Sequence, residues 1–320
     1  MRVVAIVPCY KSSQIAPKVV KDLLNFVDYI ICVDDKCPHK TGLAIKNSIS
    51  SKNLKVIFHK TNKGVGGATK TGIEEAIAIG AEIIVKIDSD GQMNPNMIPK
   101  LIAPLINKSS DFTKGNRFRN IEVLFKMPKV RLIGNILLSF ITKLSTGYWE
   151  LFDPTNGFIA VNTKILDEIQ YKKTDNRYFF ETDLLFRCGL YDVLVDEISI
   201  PSIYRNEKSG LNPFLESIRY FVSHIVIFIK RIIYQYFLLD FNPGSISLLL
   251  GFLSGTYALV AGLRSTYYFN NLNIETPLGL KILFLTCAII SAQLLISFVY
   301  YDATQRTLKR QLKSLSNKRI

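Results

Sequence analysis

One stretch constrains this chain more than any other: Ile83-Ile84-Val85-Lys86-Ile87-Asp88-Ser89-Asp90-Gly91-Gln92. A short apolar run ends abruptly in two carboxylates. The run reads as a buried parallel strand, and the carboxylates lie just beyond its carboxyl end. In an open α/β sheet that edge is where ligands bind. Two aspartates brought together there call for a cation, and a hard divalent metal carrying a diphosphate is the natural occupant.

The strand is the fourth in an alternating series. Residues 2–8 form a first strand, and a helix follows over about 14–26. A second strand at 28–33 closes on Asp34-Asp35, and 41–51 is helical. A third strand at 54–58 leads into a glycine-rich loop, Asn62 to Gly72, and a helix ending near Gly80. This alternation predicts a parallel, doubly wound sheet. Further on, the pattern predicts a helix at 94–107 and a strand from 111 leading into Gly115-Asn116-Arg117. An amphipathic helix at 129–146 and a strand at 159–161 follow. A helix beginning at Tyr178 and a strand at 192–200 complete the series. Asp153-Pro154-Thr155-Asn156-Gly157 reads as a turn, and the aromatic run Tyr178-Phe179-Phe180 as core packing.

After a polar, basic loop the composition shifts. Residues 214–239 are helical and aromatic, with Arg219, His224, Lys230 and Arg231 interspersed. Residues 245–263 are 19 in a row without a charge, and 277–301 are 25 with only Lys281 charged. Crossing the hydrocarbon core needs roughly 20 residues. A third span over 214–239 would place Lys230-Arg231 in the bilayer, at roughly 2.5–3.5 kcal/mol each. It would also put the basic tail and the sheet on opposite sides. The expected plan is therefore a catalytic domain over 1–212, an interfacial amphipathic region over 213–241, a two-helix transmembrane hairpin over 242–301 and a basic cytoplasmic tail over 302–320.

The net charge of +14 fits this plan. Beside long apolar runs, and with a mean hydropathy of +0.19, positive charge points to anionic headgroups. No nucleic-acid-binding motif accompanies it, so nucleic acid is not expected as a partner. The N-terminus reads as a strand and not as a signal peptide. Five scattered cysteines read as reduced thiols.

The candidate site residues follow from position. Asp88, Asp90 and Gln92 offer oxygen ligands suited to Mg²⁺ or Mn²⁺. Asp34 and Asp35, ending the second strand, either cap the following helix or accept a hydrogen bond from a base N–H. Pro8 and Tyr10 would line the same pocket. Gly64, in the glycine-rich stretch, would let backbone approach phosphate or ribose. The stretch lacks the P-loop pattern.

Pro8-Cys9-Tyr10, Asp34-Asp35, Asn62-x-Gly64 and Asp88-Ser89-Asp90-Gly91-Gln92, in this order and spacing, resemble the motifs of family 2 glycosyltransferases of the GT-A fold. The later segments resemble the branch that uses polyprenyl phosphates. The resemblance implies a Rossmann-like, mostly parallel α/β domain ahead of membrane helices. It implies a UDP- or GDP-linked sugar as donor, a polyprenyl phosphate as acceptor and inverting transfer. The setting would be the cytoplasmic face of the cell's inner membrane, in a multi-pass protein serving cell-envelope glycan synthesis; a homo-oligomer is compatible with it. Asp88, Asp90 and Gln92 match the metal and diphosphate motif, with Asp90 counted among the catalytic groups. Asp35, beside Asp34, matches the base-binding acid. Arg117 matches the basic residue after the fifth strand. Arg205 matches the arginine of an R-x-x-x-S segment, with Lys208 as helper; here Gly210 follows Ser209 where the family's glycine precedes the serine. Asp183, in Glu181-Thr182-Asp183, sits where hydroxyl-directed relatives keep a base. A lipid monophosphate, with its second pKa near about 6, needs no strong base, so Asp183 is expected to position or to act electrostatically. The other acceptor in view, a hydroxyl on a lipid-linked glycan or glycolipid, would make a base indispensable.

Overall fold

Four parallel strands open the chain: β1 (Val3–Cys9), β2 (Tyr29–Asp34), β3 (Leu54–Phe58) and β4 (Ile83–Lys86). Helices α1 (Ala16–Leu23), α2 (Thr41–Ser48) and α3 (Gly64–Ala78) connect them. The computed structural model describes residues 1–119, 129–201, 213–272 and 275–317. It divides into two compact units, Met1–Phe228 with Arg310–Ile320, and Ile229–Lys309.

In the first unit, α4 (Ile98–Ile106), β5 (Phe112–Asn116), α5 (Lys129–Thr146), β6 (Ile159–Asn162), α6 (Lys164–Glu168), α7 (Phe180–Leu190) and β7 (Val195–Ser199) follow. The sheet order is β3-β2-β1-β4-β6-β5-β7. It is mostly parallel, as the alternation predicted. The exception is β6, antiparallel to both β4 and β5, with Ile159 opposite Lys86 on one side and Lys114 on the other. The first residues of β6 therefore lie where β4 and β5 end. That register carries the Asp153–Gly157 turn to the carboxyl edge of the sheet.

Every residue of β1 and β4 is buried, as expected for strands covered on both faces. Alternate residues serve opposite layers. Val4, Ile6, Ile31 and Ile84 pack with Tyr148, Phe180 and Leu184. Ala5, Val7, Ile30 and Val85 pack with Val20, Leu23, Leu101 and Phe158. Each large side chain so buried contributes about 1.5–3 kcal/mol.

Two helices of this unit leave apolar faces outward. On α5, Ile133, Ile136, Leu137 and Phe140 are exposed at the spacing of one helical face. Helix α8 (Pro213–Ile233) turns Tyr220, His224 and Ile227 inward. The Tyr220 hydroxyl lies 2.7 Å from that of Thr182, and His224 Nδ1 lies 2.8 Å from Ser145 Oγ. Ile218, Phe221, Val222, Ile225 and Val226 point away.

The second unit is built on α9 (Pro243–Leu272) and α10 (Leu278–Asn317). Gly251 faces Leu294 and Leu295, Gly255 faces Ser291 and Gly262 faces Phe284, so the helices run antiparallel. Ser291 Oγ donates to the Gly251 carbonyl at 2.8 Å. By length and composition three described helices could cross a bilayer: Ile218–Leu238, Pro243–Asn270 and Leu278–Gln305. The expectation of two spans leaned on the cost of Lys230-Arg231. The structure gives Arg231 a charge partner that offsets part of that cost. Its Nη1 and Nη2 donate to Asp302 Oδ1 and Oδ2 at 2.8 and 2.9 Å, and the Tyr236 hydroxyl donates to Oδ1 at 2.6 Å. Arg231 and Asp302 are fully buried. A turn of π-helix at Tyr234–Leu238 supplies Tyr236.

Breaking a buried pair from one side costs about 3–5 kcal/mol, whereas exchanging both partners for apolar groups is near neutral. Arg231→Met should therefore sharply lower the melting temperature of the detergent-solubilised protein. The triple variant Arg231→Met/Asp302→Leu/Tyr236→Phe should recover most of the loss. A triple variant as unstable as the single one would show that the pair's charge is not what matters.

Candidate active site

The carboxyl edge of the sheet gathers residues from six segments. These are the ends of β1, β2, β4 and β5, the turn before β6 and the first turn of α7. Past β4, Asp88 is about one-third exposed, and its Oδ1 lies 2.8 Å from Lys86 Nζ. The same ammonium, 1% exposed, lies 2.8 Å from Glu181 Oε1. Burial alone would lower the pKa of Lys86, but Asp88 and Glu181 outweigh it and raise it above the ordinary lysine value. Asp90 Oδ1 accepts the Gln92 amide at 2.9 Å, which folds the turn tightly. Ser89 Oγ lies 2.6 Å from Ser12 Oγ and ties the turn to the end of β1.

Asp88, Asp90 and Gln92 present hard oxygen donors in one short turn, and this donor set fits Mg²⁺ or Mn²⁺. Among the described residues no group of three or more His, Cys, Asp or Glu side chains is gathered to hold a metal. Two carboxylates and an amide suit an ion that keeps its remaining positions for water and phosphate oxygens.

The acids ending β2 are occupied by protein donors. Asp34 accepts the Cys37 and Gly42 amides at 2.7 and 2.6 Å and so holds one amide of the first turn of α2, whose N-cap residue, Lys40, makes no side-chain cap. Asp35 accepts from His59 Nδ1 at 2.7 Å and from the Lys63 and Gly64 amides at 2.8 and 2.7 Å. Its negative charge thus sits at the positive end of α3. Three donors take most of a carboxylate's roughly four acceptor sites. The Gly64 amide, expected to face phosphate or ribose, is instead bound by Asp35. Its φ of +83°, and the backbone of Asn176 only 2.5 Å from where a Cβ would stand, account for the glycine. His59, whose Nε2 lies 3.0 Å from Thr71 Oγ1, escaped sequence reasoning; its only signal was a histidine one residue past β3. Pro8 is buried within β1, paired with Val33, while Tyr10 is exposed at the edge.

Arg117 is held by a partner that the sequence reading took for a turn residue. Its Nε and Nη2 donate to Asp153 at 2.8 and 2.9 Å, and its backbone amide donates to the same carboxylate at 3.0 Å. Asp153 is fully buried, while the Arg117 side chain is about one-third exposed. Burial would raise the Asp153 carboxyl, but hydrogen bonds and charge from Arg117, with Lys114 behind, hold it below the ordinary value of 3.8. Lys114 is buried and donates to the Pro154 carbonyl at 2.7 Å. Burial lowers its pKa to about 8.

The first turn of α7 reverses one assignment. Residues two apart on a helix point about 200° apart, so only one acid of Glu181-Thr182-Asp183 faces β4. It is Glu181, on Lys86. Asp183, the residue singled out from sequence, accepts the Asp175 amide at 2.8 Å and lies 3.7 Å from Arg187 Nε. Arg205 and Lys208 lie outside the described residues.

The fold and the acids at its edge define the class: a GT-A glycosyltransferase. Residues 4–170 match the model of Glycosyl transferase family 2, and the chain belongs to that family. It is similar to the UDP-N-acetylglucosamine–dolichyl-phosphate N-acetylglucosaminyltransferase of Methanococcus voltae, with 34% identity over 213 residues, 62% of this chain and 84% of that protein. It is also similar to the undecaprenyl-phosphate mannosyltransferase of Micrococcus luteus, with 25% identity over 209 residues, 64% of this chain and 85% of that one. The fold recurs in a crystal structure of glucosyl-3-phosphoglycerate synthase from Mycobacterium tuberculosis with Mn²⁺, UDP and phosphoglyceric acid. The TM-score is 0.51 and the identity 17%, over 72% of this chain and 78% of that one.

The Arg117–Asp153 pair sets a pH dependence. The Asp153 carboxyl is more acidic folded than unfolded, so its stabilising contribution is complete above the ordinary carboxylate value. It is lost as pH falls from there through the folded pKa. Urea-unfolding midpoints should decline on the acid side in the wild type, and Asp153→Asn should flatten that decline while lowering the plateau at neutral pH.

Proposed function

We propose that this protein transfers a sugar, with inversion, from a UDP- or GDP-linked donor to a polyprenyl phosphate at the cytoplasmic face of the membrane. The observation that carries the reading is the Asp88–Asp90 turn at the sheet's carboxyl edge in a chain that continues into a long apolar helical hairpin. The relatives named for dolichyl- and undecaprenyl-phosphate transfer support the acceptor class.

Asp88, Asp90 and Gln92 would hold Mg²⁺ or Mn²⁺, which when bound neutralises charge on the nucleoside diphosphate as it leaves. Tyr10 offers its exposed ring to the base, and Asp35 and Pro8 frame that pocket. Arg117, fixed in orientation by Asp153, binds the acceptor phosphate together with Arg205 and Lys208. A phosphate oxygen then attacks the anomeric carbon from the face opposite the nucleotide. Glu181 pairs with Lys86 and Asp183 accepts the Asp175 amide, and an ionised phosphate acceptor needs no strong base.

The membrane arrangement follows the same reading. Helices α9 and α10 cross the bilayer, with the basic end of α10 in the cytoplasm. Helix α8 lies in the interface. In the Ile229–Lys309 unit, Tyr236 packs on Phe298 while Arg231 pairs with Asp302. The outward apolar faces of α5 and α8 would rest among the headgroups.

The test is a radiolabel transfer assay with membranes, a panel of UDP- and GDP-sugars, and undecaprenyl or dolichyl phosphate. A lipid-extractable labelled product is expected from at least one donor; none from any would refute the proposal. With the active donor, Asp90→Asn should abolish most turnover, while Asp183→Asn should cost less than about tenfold. Loss of a true general base would cost about 10²–10⁴-fold, and a fall of that size in Asp183→Asn would shift the reading to a hydroxyl acceptor.

A further inference from the structure

Lys86 is out of place by every ordinary rule. It sits inside an apolar run, Ile83 to Ile87, on the side of β4 that packs with Ile84 against α7. An aliphatic side chain would continue the core there. Lysine is almost never fully buried unless paired, yet here its side chain is 1% exposed. Three separate elements converge on its ammonium. The end of β4 supplies Asp88 and α7 supplies Glu181, each at 2.8 Å. The turn before β6 supplies Gly157, where an added Cβ would crowd Lys86 Nζ, Asp88 Oδ2 and Glu181 Oε1. Glycine there leaves the ion pair room in its present geometry.

We propose that Lys86 is a positioning residue of the donor site, holding Asp88 against Glu181 and setting the fixed charge around the metal position to that of one divalent cation. This rests on the reading of Asp88 and Asp90 as the metal-holding pair. Asp88, Asp90 and Glu181 bring three negative charges, and Lys86 returns one positive. Among these four groups the balance is two negative charges, the charge one Mg²⁺ or Mn²⁺ offsets, and Lys114 lies behind Glu181 as a further cation. A nucleoside diphosphate then meets a site with no net repulsion. Without Lys86 the loaded site keeps one uncompensated negative charge beside the diphosphate, and Asp88 loses the partner that fixes its carboxylate.

The test uses the full chain purified in detergent. Mn²⁺ binding is read from the free-ion electron paramagnetic resonance signal, and UDP and GDP are titrated calorimetrically at saturating Mn²⁺. In Lys86→Met, Mn²⁺ alone should bind at least as well as in wild type, because the site is more negative. Affinity for the nucleotide that wild type binds should fall about tenfold or more, the scale of one unit charge a few ångströms away at intermediate dielectric. Lys86→Met/Glu181→Gln returns the balance to two negative charges and should restore nucleotide affinity to within about threefold on the same argument. A role in folding alone predicts no such rescue. Unchanged nucleotide affinity in the single variant, or a double variant as weak as the single, would overturn the proposal. If wild type binds neither nucleotide with Mn²⁺, the donor-site reading itself falls, and this proposal with it.

Discussion

The antiparallel insertion of β6 between β4 and β5 decides where everything else lies. A parallel strand there would enter from the opposite edge of the sheet. Because Ile159 pairs with both Lys86 and Lys114, the chain before it must pass over the ends of both neighbours. That path delivers Asp153 to Arg117 and Gly157 to Lys86. The edge thus becomes crowded with charge drawn from segments far apart in sequence.

Crowding of this kind is stable only when each charge has a partner, and the edge solves the problem in two ways. Asp34 and Asp35 are satisfied by backbone amides, which tie the starts of α2 and α3 to the end of β2. Asp88, Glu181 and Asp153 are satisfied by cations, each fixing a side chain at the edge. The first device rigidifies the frame at low cost, since amides at a helix start need acceptors in any case. The second fixes charged side chains from distant segments at one edge.

The membrane-associated part uses the same logic in an apolar setting. Arg231 and Tyr236 both donate to Asp302 at the end of the hairpin. The arginine that argued from sequence against an extra span turns out to be an internal fastener. A buried pair of this kind adds little net stability, because desolvation offsets much of the attraction between its charges.

Much was legible in the sequence because it is written locally. The β-α alternation, the acids ending β2 and β4 and the two long apolar runs are patterns over a few neighbouring residues, and period and length suffice to read them. The partners of those acids were not legible, because they are set by pairs far apart in the chain. Lys86 meets Glu181 across 95 positions, Arg231 meets Asp302 across 71, and Arg117 meets Asp153 across 36. From the sequence alone, Glu181 and Asp183 are equivalent acids at a helix start. Only the rotation of α7 against β4 decides which one faces the site. By itself the sequence determined the class of fold, the acids that end β2 and follow β4, and the long apolar helices. The tertiary structure decided which charges meet there, since helix rotation and strand register are properties of packing and not of any single segment.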